Sequence, residues 1–264
     1  MIKVKCYSNN TNIYHCCIHK TGSQWIKSVL SDPIVFEYSG LSPYHLQVMR
    51  NDMAKLDDVV KSLKEKPLPE RTIVSTLYME YERFEAIEKI GKYKSFFVIR
   101  DPRELIVSWY YSALSAHVLP KDRLKPLYAA RVALKGMSLK DGLKYAIDFW
   151  VDRGKFDLML SWIGKEAGSV KLIKYEDLIS ANNKLVFKEL FDYLDINIPG
   201  DKLDTLLNAY SFKRLSGRKK GGENNGSHLR SGASESWKKY FDDDLIEYFE
   251  KRTNNVVGKL GYIK

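Results

Sequence analysis

The chain has 264 residues, of which 44% are hydrophobic and 29% charged, a balance that excludes a globally disordered protein. Lys and Arg number 43 against 33 Asp and Glu, so the formal charge at neutral pH is +10. A surplus of this size suits a nucleic acid, an anionic membrane surface or a multiply phosphorylated small molecule, although it also serves solubility alone. The amino terminus lacks the apolar core of a signal peptide, and no apolar run is long enough to span a bilayer.

The three cysteines, Cys6, Cys16 and Cys17, form neither an even disulfide set nor a Cys-x-x-Cys metal motif. Cys16 and Cys17 lie in an apolar run, which predicts buried free thiols and a reducing compartment. We therefore expect a cytoplasmic protein with no metal site and no membrane span.

Short apolar runs alternate with segments of helical periodicity along most of the chain. In order, the first half predicts a strand at 14–18, helices at 23–30 and 46–64, a strand at 72–76, a helix at 84–90 and a strand at 95–99. The second half predicts helices at 105–114 and 139–163, a strand at 170–174, and helices at 185–194 and 242–260. This alternation indicates βαβ units. We predict a single α/β domain over residues 1–264, with a central parallel sheet flanked by helices.

Residues 216–236 differ from the rest of the chain in composition. They contain five glycines, several Ser and Asn, and four basic residues, with little apolar content that could anchor the segment to a core. We predict a mobile lid loop within the domain; an inert linker is the alternative.

The first candidate site is the turn between the strand at 14–18 and the helix at 23–30. Its sequence is His19-Lys20-Thr21-Gly22-Ser23-Gln24-Trp25. A helix N-terminus offers unpaired N–H groups to a phosphate, glycine allows close backbone approach, and lysine adds a full charge. A P-loop is excluded because the lysine precedes the only glycine, whereas an ordinary strand–helix turn stays possible.

The second candidate site follows the strand at 95–99. Arg100 ends that strand, and Ser108 lies eight residues later in the next predicted helix. Ligands bind at the carboxyl ends of strands in open α/β folds, and arginine contacts phosphates through two N–H groups at once. A structural salt bridge between Arg100 and Asp101 is the alternative. A third basic segment, Arg230-Ser231-Gly232, precedes Trp237.

Jointly and in this order, these segments resemble the sulfotransferases that use 3′-phosphoadenosine-5′-phosphosulfate (PAPS), in particular the cytosolic members. The first site resembles the family's 5′-phosphosulfate loop, Pro-Lys-Ser-Gly-Thr-Thr-Trp. Arg100 with Ser108 resembles its 3′-phosphate motif, and Arg230-Ser231-Gly232 with Trp237 resembles its Arg-Lys-Gly…Gly-Asp-Trp segment. The stretch around Tyr175 resembles its Tyr-Glu-Asp segment, and that around Phe212 an adenine-side element. The resemblance covers most of the chain, from Lys20 to Trp237.

This resemblance implies one α/β domain related in plan to nucleotide kinases, with PAPS as sulfuryl donor and 3′,5′-adenosine bisphosphate (PAP) as product. The implied contacts to the 5′-phosphosulfate come from Lys20, Thr21, Gly22, Ser23 and Gln24. Those to the 3′-phosphate come from Arg100, Ser108 and the segment Arg230-Ser231-Gly232. Trp25, Tyr175 and Phe212 would border the adenine.

Three departures from the family pattern stand out. The family's Lys-Thr-His segment, which holds the catalytic histidine, falls near Leu77, and no histidine is there. Ser231 replaces the lysine of the Arg-Lys-Gly segment. The usual dimer motif is altered, because Asp242 and Asp243 stand where Thr-Val is expected, and the oligomeric state is left open.

The implied reaction is sulfuryl transfer to a hydroxyl or amine of a small-molecule acceptor, with Lys20 aiding the leaving phosphate. Two residues are candidates for the general base. Glu37 follows the first predicted helix, and His117 follows the helix that contains Ser108. Glu37 ranks slightly ahead, because its link to the first candidate site is short and rigid. The identity of the acceptor, and the choice between O- and N-sulfation, stay open.

Two other functional classes are consistent with parts of the sequence. A nucleotide or small-molecule kinase would use Asp101 as a metal ligand after a strand, but the glycine–lysine order of a phosphate loop is missing. A nucleic-acid-binding protein would use the positive charge, but the 17 tyrosines are scattered rather than grouped as a stacking platform, so we expect no nucleic-acid partner.

Overall fold

A computed structural model gives the structure of the protein over residues 3–46, 53–116, 126–166 and 168–262. Its internal contacts divide the chain into two compact units. The first unit consists of Met1–Ile99 and Ser161–Leu215, and the second of Arg100–Leu160 and Ser216–Lys264.

The first unit contains a parallel sheet with five strands in the described residues. They are β1 (Asn12–Cys17), β2 (Ser42–Tyr44), β3 (Thr72–Leu77), β4 (Tyr93–Ile99) and β5 (Val170–Lys174). Their order is β2-β3-β1-β4-β5, and every pairing is parallel. The carboxyl ends of the strands therefore lie at one edge of the sheet. The predicted fold class is confirmed, and each of the four predicted strands is found within two residues of its predicted bounds.

The helices in chain order connect and follow these strands. They are α1 (Ser23–Leu30), α2 (Pro33–Glu37), α3 (Met53–Glu65), α4 (Tyr81–Glu85), α5 (Pro102–Tyr111), α6 (Pro126–Leu134), α7 (Leu139–Val151), α8 (Lys155–Leu160), α9 (Tyr175–Leu178), α10 (Asn183–Tyr193), α11 (Gly200–Ala209), α12 (Phe212–Ser216), α13 (Asp243–Thr253) and α14 (Val256–Lys259). A π-helical turn, Ser112–Ala116, follows α5, and a 3₁₀ turn, Ser236–Lys239, precedes α13.

The core of the first unit lies between the sheet and helices α1, α10 and α11. Strands β1 and β3 are buried along their whole length, as expected of inner strands of a parallel sheet. Helix α1 packs Ile26 and Val29 into this core, and α10 adds Phe187 and Phe191. This packing fixes the turn between β1 and α1.

The second unit packs helices α5, α7, α8 and α13 together, mostly through aromatic rings. Trp109 of α5 stacks on Phe149 of α7 with ring centroids 4.3 Å apart. Phe249 of α13 meets Phe156 of α8 and Phe241 edge-on, each at 5.9 Å. These contacts hold α5, which begins two residues after Arg100.

Several helix predictions are wrong in their bounds, and the backbone explains two of them. The predicted helix 139–163 is two helices, interrupted at Gly154 with φ of 58°. The predicted helix 242–260 is also two, interrupted at Asn254 and Asn255, both in the left-handed region. The helix predicted at 84–90 is α4, which ends at Glu85. The short strand β2 was not predicted, because three residues including Pro43 give no periodic signal.

The start of α13 bears on the altered dimer motif. The carboxylate of Asp242 accepts a hydrogen bond from Leu245 N at 2.9 Å and so caps the helix. It also lies 2.8 Å from Lys140 Nζ. Asp242, which departs from the family's dimer motif, thus caps α13 and pairs with Lys140 of the same chain.

Candidate active site

The turn between β1 and α1 has an unusual backbone. Lys20 and Gly22 both lie in the left-handed region, with φ of 72° and 71°. Lysine adopts this conformation rarely, and such strain in a loop is typical of a functional site. Thr21 is fully buried, and its hydroxyl donates to Ile18 O at 2.7 Å, which closes the turn.

The N-terminus of α1 opens directly from this turn. Gly22 is its N-cap residue and has no side chain to bond the first N–H groups of the helix. The first turn of α1 contains no acidic residue. The N–H groups and the positive end of the helix dipole are therefore suited to an external anion, and Lys20 adds a positive charge beside them.

The packing of Tyr175 also requires a glycine at position 22. A Cβ atom at this position would lie 2.6 Å from Cε2 of Tyr175, a buried residue at the start of α9. Tyr175 therefore packs directly against the turn. The indole of Trp25 meets the Tyr175 ring edge-on at 6.4 Å, and its N–H donates to Tyr210 O at 2.9 Å. Phe212 begins α12 two residues after Tyr210.

Tyr78, which follows β3, was not predicted as a cofactor-site residue but contacts this turn at three points. Its hydroxyl lies 2.9 Å from Ser23 Oγ and accepts a hydrogen bond from Gln24 Nε2 at 3.2 Å. Its ring stacks on His19 with centroids 4.3 Å apart. Burial raises the pKa of Tyr78, so its hydroxyl stays protonated at neutral pH. A lone aromatic after a strand gives no sequence signal for this role.

Glu37, the first predicted base, is not beside the turn. It ends α2, and its carboxylate lies 2.6 Å from Lys5 Nζ. Its backbone oxygen accepts from Lys5 N at 2.7 Å, in the segment that precedes β1, and β2 begins five residues later beside the first residue of β3. Glu37 therefore lies toward the amino ends of the strands, while Lys20 follows the carboxyl end of β1. Helix α1 runs away from the turn and separates the two residues by its length, which corrects our expectation that the link would keep them together.

His117, the second predicted base, lies outside the described residues.

The second unit contains the other predicted cofactor residues, organised around a carboxylate that was not predicted. Glu104 of α5 is fully buried. Its Oε2 accepts from Arg100 Nη2 at 3.2 Å and from Ser236 Oγ at 3.0 Å. Its Oε1 accepts from Trp237 N at 2.9 Å. Glu104 therefore joins the start of α5 to the 3₁₀ turn.

Arg230 reaches the same cluster from the segment before that turn. Its Nη2 donates to Ser236 Oγ at 2.6 Å, and its Nη1 lies 3.2 Å from a carboxylate oxygen of Glu223. Both guanidinium groups, Arg100 and Arg230, are thus more than nine-tenths buried and linked through Ser236 and Glu104. The structure brings these two predicted residues into one network.

The other predicted cofactor residues of this unit, Ser108, Ser231 and Gly232, are close in sequence to Arg100 or Arg230. Ser108 is half-buried on α5, two helical turns after Arg100. Ser231 is buried, and its hydroxyl accepts from Ala233 N at 3.2 Å. Gly232 has φ of 62°, which bends the chain after Arg230.

Asp101 pairs with a different arginine from the one considered in the sequence. Its two carboxylate oxygens accept from Arg103 Nε and Nη2 at 3.0 and 2.8 Å, and it also caps α5 through Arg103 N. Arg103 in turn lies 3.7 Å from the centre of the Trp237 ring. Since Arg103 occupies both oxygens of Asp101, this carboxylate is not presented as a metal ligand.

The described residues as a whole show three further features, which concern metal sites, membrane-spanning helices and disulfides. They contain no group of three or more His, Cys, Asp and Glu side chains placed to hold a metal ion. Among the helices they form, none combines the length and apolar character that crossing a bilayer requires. Cys16 and Cys17 are buried and form no disulfide, as predicted.

Comparison with known proteins identifies the family. A profile for the sulfotransferase domain matches residues 11–261. Sulfotransferase 2A6 of Mus musculus is 25% identical over 177 residues, 61% of this chain and 55% of that relative, so the match spans about half the relative's length. Mouse sulfotransferase SULT7A1 complexed with PAP has a TM-score of 0.61 at 16% identity, covering 96% of this chain and 86% of that one. Retinol dehydratase in complex with androsterone and inactive cofactor PAP has a TM-score of 0.60 at 14% identity. The match covers 96% of this chain and 82% of that one. The structural likeness shows a shared fold, and the profile match over nearly the whole sequence shows that the chain belongs to the sulfotransferase family.

Proposed function

We propose that this chain transfers a sulfuryl group from PAPS to a hydroxyl or amine of a small-molecule acceptor and releases PAP. The observation that most supports this is the turn between β1 and α1, where a strained Lys20 and an uncapped helix N-terminus favour an anion. Family membership, and the PAP that the two similar structures contain, point to PAPS as that anion. The absence of disulfides among Cys6, Cys16 and Cys17 fits a cytoplasmic location, which is part of the proposal.

In this proposal the turn and α1 hold the 5′-phosphosulfate. Lys20 and the N–H groups after Gly22 neutralise its charge, and Ser23 and Gln24, both held by Tyr78, donate further hydrogen bonds. The edge-to-ring arrangement of Trp25 and Tyr175, with Phe212 close in sequence to the Tyr210 contact, provides an aromatic border for an adenine.

The 3′-phosphate is assigned to the Glu104 cluster of the second unit. Arg100 and Arg230 supply charge-assisted hydrogen bonds, and Ser108, Ser231 and Gly232 supply neutral donors. Because Glu104 and Ser236 hold the guanidinium groups in place before any ligand arrives, little side-chain entropy is lost on binding.

Sulfuryl transfer requires in-line attack on sulfur and stabilisation of the charge that develops on the leaving phosphate. PAPS supplies the activated sulfuryl group. In the proposal, Lys20 and the N-terminus of α1 contact the phosphate and bind the charged leaving group more strongly than the ground state. A general base must accept the proton of the acceptor.

Residues 216–236 are proposed as a lid whose order depends on the cofactor. Most of the segment is exposed, but backbone hydrogen bonds from Gly221 N to Ser231 O and from Asn224 N to Arg230 O hold it in a folded-back form. Glu223 occupies one side of Arg230 in this form, so a bound phosphate would compete with it. Hydrogen exchange across 216–236 should slow on adding PAP, and identical exchange in both states would reject the lid.

A kinase is not favoured, since the family match is to sulfotransferases and Asp101 is occupied by Arg103. The decisive test is calorimetric titration with PAP, ATP–Mg²⁺ and a single-stranded oligonucleotide, followed by transfer of radiolabelled sulfate from PAPS to a panel of acceptors. We expect saturable binding of PAP and transfer of label. Tight binding of ATP–Mg²⁺ or of the oligonucleotide with none of PAP would reject the proposal.

A further inference from the structure

The proposed reaction needs a base at the carboxyl edge of the sheet, and the family position near Leu77 lacks one. Glu37 lies toward the opposite edge and pairs with Lys5. Tyr78 reaches the turn, but burial raises the pKa of its hydroxyl, which makes it a poor base at neutral pH. The described histidines of the first unit are further candidates.

Two of these three histidines are less open to an acceptor than the third. His15 lies in the middle of β1 with no exposed surface, stacked on Phe96 and bonded through Nδ1 to Ser75 Oγ at 3.2 Å. His19 lies against the Tyr78 ring, and its Nε2 is buried. The His15 ring therefore cannot receive a proton from a molecule that enters from solvent, and neither can Nε2 of His19.

His45 differs from both in position and exposure. It follows β2 directly, and its side chain is exposed. The pairing of Tyr44 with Val74 places it level with Ser75, in the carboxyl half of β3. Ser75 precedes Tyr78 by three residues, and Tyr78 contacts Ser23 and Gln24 of the proposed phosphosulfate site. Two strand spacings place β2 roughly 10 Å from β1, a distance that a small acceptor and a sulfuryl group can span.

The hydrogen bond of His45 fixes which ring nitrogen is available. Its Nδ1 lies 3.3 Å from Ser75 O. A backbone carbonyl can only accept, so Nδ1 of the neutral ring bears the hydrogen and Nε2 keeps its lone pair. This is the tautomer that a general base requires, and it is held in place by β3, the strand that leads to Tyr78.

We infer that His45 is the general base of the sulfuryl transfer, an assignment that rests on the proposed function. Nε2 of His45 takes the proton from the acceptor hydroxyl or amine as the acceptor atom forms its bond to sulfur. The bond between sulfur and the bridging oxygen breaks, and its electron pair stays on the 5′-phosphate of PAP. Because His45 is exposed, the proton then passes to solvent and the neutral ring is restored.

The test uses His45→Asn, whose side-chain amide can still donate to Ser75 O but has no basic nitrogen. Phenol and 4-nitrophenol serve as acceptor probes because they differ in acidity. We expect kcat with phenol to fall about a hundredfold while the Kd of PAP is unchanged, and a smaller loss with the more acidic 4-nitrophenol. Added imidazole should restore part of the rate to His45→Ala. Ser42→Ala, an exposed change at the start of β2, is the control for damage to the strand.

Normal rates in His45→Asn would overturn the inference while leaving the proposed function intact, as would a hundredfold loss confined to His117→Asn. Failure of the wild-type protein to bind PAP would instead reject the proposed function and this assignment with it. If PAP binds but neither phenol is sulfated, the imidazole NMR signal of His45 tests the assignment instead. We expect it to shift on adding PAP, and an unmoved signal would overturn the assignment.

Discussion

At the scale of single residues, the second unit shows how buried cations can be kept ready for an anion. Arg100 and Arg230 would each carry a large desolvation cost if they were alone in the interior. Glu104 offsets this desolvation cost. It contacts Arg100 directly and is linked to Arg230 through the hydroxyl of Ser236. Two predictions follow from this network, one for the affinity for PAP and one for the free energy of unfolding.

The first prediction concerns Arg100. Arg100→Ala removes a charge-assisted contact to the proposed 3′-phosphate, so PAP binding should weaken by about 2 kcal/mol. Ser108→Ala removes only a neutral donor and should cost about 1 kcal/mol. Calorimetry with PAP measures both. Unchanged affinity in Arg100→Ala would show that the 3′-phosphate binds elsewhere.

The second prediction concerns Glu104 and folding. Glu104→Ala leaves the Arg100 guanidinium without its buried carboxylate and the Trp237 N–H without its acceptor. The free energy of unfolding should drop by about 3 kcal/mol, measured by urea denaturation. Glu247→Ala, an exposed change on α13, should stay within about 0.5 kcal/mol. Equal stability of the two variants would mean that Glu104 does not hold the cluster together.

At the scale of elements, the turn between β1 and α1 depends on a glycine for two separate reasons. Gly22 has a left-handed backbone, and Tyr175 leaves no room for a Cβ atom there. Gly164 shares the backbone conformation, with φ of 72°, but a Cβ at that position would meet nothing within 4 Å. The two positions therefore separate backbone strain from packing.

The third prediction compares these two glycines. Gly164→Ala should lower the free energy of unfolding by about 1 kcal/mol through backbone strain alone. Gly22→Ala should cost about 1–3 kcal/mol more, because Tyr175 must move, and PAP binding should weaken only in this variant. Urea denaturation and calorimetry measure the two effects. A Gly22→Ala protein with the stability and PAP affinity of Gly164→Ala would contradict the packing of Tyr175 on the turn.

The elements also show what kind of structure can be predicted from sequence. Inner strands such as β4 are short apolar runs with clear ends, and their bounds were nearly right. Helices α7 and α8 merged in the prediction because apolar spacing continues across Gly154, and only its left-handed backbone separates them. Strand β2 exists because β3 offers it a parallel partner, a tertiary cause that three residues cannot reveal.

At the scale of the whole molecule, the same contrast holds for the candidate site. Lys20, Gly22 and Arg100 could be proposed because each lies within a local motif. Tyr78 contacts Ser23 from 55 residues away, and Ser236 contacts Glu104 from 132 residues away. Such partners are brought together by the fold, so they have no counterpart in local sequence patterns. The expectation that Glu37 lies close to Lys20 was wrong for the converse reason, since closeness in sequence was taken for closeness in space.

Burial of a histidine in the central strand of the sheet couples the stability of the protein to pH. His15 has no exposed surface, and burial lowers its pKa to about 3, against an ordinary value of 6.5. The folded state therefore keeps His15 neutral, whereas the unfolded chain protonates it below pH 6.5. The contribution of the neutral ring to stability is complete above pH 6.5 and is lost progressively as the pH falls toward 3.

The fourth prediction follows from this linkage. Between pH 6.5 and 5, the free energy of unfolding of the wild-type protein should fall more steeply than that of His15→Asn, by up to about 1.4 kcal/mol per pH unit. The side-chain amide of the variant can still bond Ser75 but does not titrate. Carboxylates with lowered pKa, such as Asp57 and Asp242, lose their contributions at lower pH, so this window isolates the histidine. Urea denaturation at pH 6.5, 5.75 and 5 gives both slopes. Parallel slopes would mean that His15 gains a proton in the folded protein, which would require water or a charged partner to reach the centre of β1.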